Sequence, residues 1–81
     1  MNLVELSNFL VSNLVKNKDN FVINQIDNEN EKVIQILVDS SDIGAVIGKN
    51  GNIANAIRTL IQASAYINKL GKVRINIDTK E

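Results

Sequence analysis

The chain has no cysteine, no histidine, no proline and no tryptophan, and each absence removes a class of explanation. Without cysteine there are no disulfides and no thiolate chemistry. Without histidine as well, the usual zinc sites and imidazole acid–base catalysis go too. Without proline, helix breaks fall to glycine and asparagine. No apolar run approaches the ~20 residues that span a bilayer, and no basic segment followed by an apolar core stands at the N-terminus. The expectation is a soluble, cytoplasmic protein with no membrane association, no small-molecule substrate, no metal and no cofactor. With 81 residues it forms one domain, residues 1–81, and its size leaves no room for a second core. Any site must therefore lie on the surface of a single fold.

Charge of either sign is in balance, with nine cations against nine carboxylates, but its distribution is uneven. Residues 1–42 hold three cations and seven carboxylates, a net −4, while residues 43–81 hold six cations and two carboxylates, a net +4. A binder of phosphate chains draws much of its affinity from neutralising them, so the second half is where such a site is sought. Both halves interleave in a fold, and solvated faces would give the same split.

The elements read in the order helix, strand, strand, helix, helix, strand. Asn2 can cap a helix from Leu3 to about Lys16 in which Leu3, Leu6, Leu10 and Leu14 form a stripe. Phe21 to Ile26 is a short strand, and the polar run Asp27 to Glu31 is a hairpin loop into Lys32 to Asp39. That second strand is apolar on both faces and belongs inside the sheet. Ser40, Ser41 and Asp42 offer caps for a short helix ending at Ile47. The longest helix then runs from Asn52 to about Leu70, with Gly71 as its stop. Val73, Ile75 and Ile77 alternate with Arg74, Asn76 and Asp78, a strand with one buried face. Strands joined by a short loop pair antiparallel, and strands joined by a helical crossover pair in parallel. A three-stranded mixed sheet follows, covered by helices on one face: an α+β two-layer sandwich.

Between the two central helices stand Gly48, Lys49, Asn50 and Gly51. Two glycines three apart allow a very short turn whose bare backbone a sugar-phosphate chain can approach, and Lys49 adds a positive charge there. The order αββααβ, with Val46-Ile47-Gly48-Lys49-Asn50-Gly51 followed by Ile53 and Ile57, resembles the KH domain in its type II topology, marked by an I-G-x-x-G turn. More narrowly, Ile43 to Gly51 continued by Ile53 to Leu60 resembles the bacterial stand-alone KH proteins of the KhpA family, over the whole chain. The resemblance implies binding of single-stranded RNA, about four nucleotides clamped by the GxxG turn. It also implies a role as RNA chaperone or post-transcriptional regulator, with self-association and pairing with a KhpB-like KH partner.

Within that resemblance, the expected RNA-binding residues are Gly48, Lys49, Asn50 and Gly51 in the turn, Ile47 and Ile53 beside it, then Val46 and Ile43, with Asn52 and Arg58 on the long helix. Ile57 reads better as core. Phe9, Phe21 and Tyr66 are too few for the stacking platform of an RRM or an OB-fold. Stand-alone family members usually carry a basic residue just after the second glycine and often another before the first; Asn52 and Ala45 occupy those places here, so modest affinity with a shallow salt dependence is expected. On the long helix, Ile53, Ile57, Leu60 and Ile61 suffice to cover a sheet, yet Ala54, Ala56, Ala63, Ala65 and Ile67 extend the apolar surface, to be covered by a second chain or by the first helix.

The rival classes fare worse. A P-loop requires G-x-x-x-x-G-K-[ST], whereas Gly44 and Gly48 are separated by three residues and Asn50 follows Lys49. Asp39 and Asp42, the candidates for paired-carboxylate catalysis, flank a helix start where capping explains them. No catalytic residues are therefore assigned. The alternative reading is a KH-fold dimerisation module with little RNA binding of its own.

Overall fold

A computed structural model describes residues 1–80. Helix α1 spans Leu3–Ser12, strands β1 and β2 span Phe21–Asp27 and Lys32–Val38, and helices α2 and α3 span Ile43–Ile47 and Asn52–Ile67. A single 3₁₀ turn, Lys49–Gly51, joins the two helices, and strand β3, Val73–Thr79, follows α3. The sheet order is β1-β2-β3. β1 pairs antiparallel with β2, setting Ile23 opposite Ile36, and β2 pairs in parallel with β3, setting Ile34 beside Ile75. This is the expected α+β arrangement, because the short loop and the long helical crossover leave no other pairing.

One sheet face carries the core. Ile34, Ile36 and Val38 of β2 are wholly buried there, beside Val73 and Ile75 of β3. Above them, α3 presents Ala54, Ile57, Ile61 and Ala65, one row at three- and four-residue steps. Small residues let the helix sit close to the strands. Leu60, expected in that row, is rotated out of it and is 50% exposed.

Helix α1 departs from expectation in two ways. It seats on the sheet through Leu3, Ser7 and Val11, a strict i+4 row, while Leu6, Leu10 and Leu14 pack less deeply at its side. Ser7 is tolerated in the core because its hydroxyl donates to the Leu3 carbonyl at 2.7 Å. The helix also ends at Ser12, well before Lys16, since Ser12 Oγ and Asn13 Nδ2 both donate to the Phe9 carbonyl, at 3.1 and 2.6 Å. At its start the expected cap is present: Asn2 Oδ1 accepts from the Glu5 N–H and Glu5 Oε1 accepts from the Asn2 N–H.

Asp42 does not cap α2 as the sequence suggested. Its carboxylate, 3% exposed, instead accepts from the N–H groups of Lys16 and Asn17 and from Asn17 Nδ2, each at 3.0 Å. The Lys16 N–H first, and the Asn17 donors after it, hold that carboxyl below the usual carboxylate range. Asp39 turns onto the N–H and hydroxyl of Ser41, both at 2.8 Å, and is lowered likewise. These two acids fasten loops; neither faces a cleft with the other.

Candidate nucleic-acid interface

The connection between α2 and α3 is built from left-handed backbone. Gly48 has φ 77° and ψ 175°, Asn50 has φ 57° and ψ 22°, and Gly51 has φ 76° and ψ 12°. Side chains disfavour that region, and asparagine tolerates it best after glycine. The Gly48 N–H closes α2 on the Gly44 carbonyl at 2.9 Å, and the Gly51 N–H closes the turn on the Gly48 carbonyl at 3.2 Å.

The two glycines are required for different reasons. A Cβ at Gly48 would lie 2.5 Å from Ile53 Cγ1 and 2.8 Å from Ile53 Cβ, whereas one at Gly51 would meet nothing within 4 Å. Ile53 thus packs hard against a bare Gly48, and Gly51 answers only to its dihedral angle. No side chain caps the start of α3, so its positive end is left toward solvent at this turn. Lys49, Asn50 and Asn52 are exposed around it, and Lys49 forms no ion pair among the described residues.

Of the residues expected from sequence, Gly48 to Gly51, Ile47, Asn52 and Ile53 come together at this turn. Ile47 and Ile53 are half-buried. Val46 does not join them: it is wholly buried in the core and is the one fully buried residue of α2, while Ile43 packs beside it less deeply. Ile57 is core, as read. Arg58 lies along the seam between α3 and β3, its Nε donating to the Ile75 carbonyl and its Nη1 to Asn55 Oδ1, both at 3.4 Å.

Helix α3 therefore has two unlike flanks. Toward β3 it carries Asn55, Arg58, Gln62 and Tyr66 at helical spacing. Toward α1 it borders an apolar groove of about 500 Å³ whose walls include Phe9, Leu10, Leu14, Ile53, Ala56 and Leu60. Ala54 and Ala65 turn into the core, while Ala56 and Ile67 stay exposed, so α1 covers the long helix only in part. Phe9, 58% exposed, was not singled out from sequence; its place outside the leucine stripe of α1 was the available sign.

A family model described as KhpA/KhpB, KH domain, matches residues 5–78. The chain is 42% identical over 64 residues to the RNA-binding protein KhpA of Borreliella burgdorferi, covering 79% of this chain and 78% of that protein. It is 46% identical over 55 residues to the RNA-binding protein KhpA of Oceanobacillus iheyensis, covering 68% and 73%. Among solved structures it superposes on Aquifex aeolicus Era bound to GDP and aluminium fluoride with a TM-score of 0.68. It superposes on Era in complex with MgGDPNP and nucleotides 1506–1542 of 16S ribosomal RNA with a TM-score of 0.66. Each likeness covers 95% of this chain, at 17% identity, and 30% and 29% of those proteins respectively; it is a likeness of fold.

Proposed function

The chain belongs to the KhpA/KhpB family of KH domains, and from that premise we propose that it binds single-stranded RNA, gripping the sugar-phosphate backbone at the Gly48–Gly51 turn. The observation that carries this reading is the turn itself: three left-handed residues, a Gly48 with no room for a side chain, and an uncapped helix start behind them. Main-chain N–H groups and the helix dipole attract a phosphate, and Lys49 neutralises it. Ile47 and Ile53 offer apolar contact to the first bases, and Asn50 and Asn52 offer amide groups. From the turn the strand follows the β3 flank, where Arg58 supplies the next charge, because the α1 flank is apolar.

Few charges stand at this grip, so its salt dependence is shallow. Lys49 and Arg58 together predict a slope of log K against log salt of about −1.4 for a four-nucleotide strand, at roughly −0.7 per neutralised phosphate. The decisive experiment replaces Lys49 and Asn50 together with aspartate. Binding of an unpaired oligonucleotide should fall at least about tenfold while folding is unchanged. Unchanged affinity in that variant would remove the turn from the mechanism.

A second activity is favoured by the apolar α1 flank, where Phe9 at 58% and Leu60 at 50% are exposed. Monomeric proteins seldom leave such surface open. We infer that it associates with a second copy or with a KhpB-like KH protein, and that the protein serves in the cytoplasm as an RNA chaperone or post-transcriptional regulator. Leu60→Glu should shift the sedimentation of a self-associated species to monomer and leave RNA affinity in place. The opposite result, RNA affinity lost with association kept, would exchange the roles of the two flanks.

A further inference from the structure

The β3 flank of α3 does not stop at Arg58. The row Asn55, Arg58, Gln62 and Tyr66 continues along the helix, about 24 Å long for 16 residues, to an open hollow of about 850 Å³ at its far end. Gln62, Tyr66, Ile67, Lys69, Lys72 and Val73 line that hollow. Its chemistry is specific in combination. Tyr66 is the most exposed aromatic of the chain, at 85%, and shares the hollow with Ile67 and the buried Val73. Lys69 and Lys72 stand at its rim, and neither forms an ion pair among the described residues.

A flat aromatic beside two free cations suits a nucleobase with a phosphate on either side. Among the described residues no carboxylate lines the hollow, so it favours an anionic strand over a second copy of this chain, which in a two-fold pairing across this face would bring its own Lys69 and Lys72 against these. The helical row links the hollow to the turn: a strand leaving Lys49 past Asn55, Arg58 and Gln62 would reach Tyr66. On its other side, Lys72 and Gly71 border a second hollow that carries Glu29 and Glu31; Glu31 is taken up by Arg74 at 3.2 Å. Those carboxylates disfavour RNA beyond Lys72 and mark where the path ends.

Resting on the RNA reading of the turn, we infer that Tyr66, Lys69 and Lys72 form a second nucleotide subsite, at the opposite end of α3. A bound strand then extends past the four nucleotides clamped at the turn and stacks a later base on Tyr66. The footprint is set by the length of the helix.

The test compares fluorescein-labelled oligouridylates of four and eight nucleotides by anisotropy. The eight-mer should bind at least about tenfold more tightly than the four-mer, beyond the roughly fivefold that five overlapping registers of a four-nucleotide footprint give by statistics. Tyr66→Ala should bring the eight-mer down toward that statistical ratio and leave the four-mer unchanged, and Tyr66→Phe should restore it. Lys69→Gln with Lys72→Gln should make the eight-mer's salt slope shallower by about 1.4. The subsite is overturned if Tyr66→Ala weakens neither oligonucleotide or both equally. It is equally overturned if that change converts a dimer to a monomer while the eight-mer still binds. Failure of the turn itself reads differently: the Lys49→Asp, Asn50→Asp variant would then hold both lengths as tightly as the unmodified chain.

Discussion

The two ends of α3 solve the same geometric problem by unlike means. At the leading end the chain turns through Gly48, Asn50 and Gly51, with Ile53 packed so closely that position 48 admits no side chain. At the trailing end it turns through Lys69, at φ 57°, and Gly71, at φ 84°, where a Cβ would meet nothing. There the Leu70 N–H reaches the Ala65 carbonyl at 2.9 Å and the Lys69 N–H reaches that of Tyr66 at 3.1 Å, the paired bonds of a Schellman motif. One end is shaped by steric exclusion and the other by main-chain hydrogen bonds. Steric exclusion dictates residue type, and hydrogen bonding between backbones does not.

The sharpest way to break this comparison is Gly48→Ala. Left-handed strain and the clash with Ile53 together should destabilise the fold by about 2–4 kcal/mol in urea unfolding. A loss no larger than that of Gly51→Ala would mean that Ile53 yields and the turn is not sterically set.

Next in size is Asp42→Ala, which frees the donors of Lys16 and Asn17 and loosens the segment that holds α1 against the start of α2. Melting should fall by roughly 5–15 °C. The unmodified chain should show the same contact by pH. Because the Asp42 carboxyl titrates lower in the folded state than its ordinary 3.8, its contribution is complete well above that value and is lost as pH falls below it. Stability of the Asp42→Ala variant should therefore depend less on pH in that acidic window.

Gly51→Ala should cost only the dihedral strain, about 1–2 kcal/mol, and leave the rest of the turn in place. The smallest effect has the opposite sign. Lys69→Gly relieves a left-handed lysine at the helix stop and should stabilise the fold by about 0.5–1 kcal/mol. If it destabilises instead, the bonds at the trailing end are not what holds that conformation.

The same contrast explains what could be read from sequence. The turn between α2 and α3 was legible because its demands fall on residue type, two glycines at fixed spacing. The sheet was legible because β2 is apolar on both faces and β3 on one. The stop of α3 was not: Gly71 drew attention as the only glycine nearby, while the left-handed residue nearest the helix is Lys69, whose role depends on backbone bonds alone. The early end of α1 was hidden because Ser12 and Asn13 turn back onto the Phe9 carbonyl, and the segment beyond it is held by Asp42, 25 residues from Asn17 along the chain. Val46 and Leu60 were misplaced by the same limit. Helical spacing says which residues share a row but not how that row is rotated about the axis.

Pairing β2 in parallel with β3 has a consequence for how the protein is made. Residues 73–79 leave the ribosome after every other element described here, and until they do α3 has only part of the surface it packs against. Nascent chains that stall before Val73 should therefore carry the complete turn in their sequence and yet fail to hold a ligand. Translation has to reach the final strand before the molecule can act.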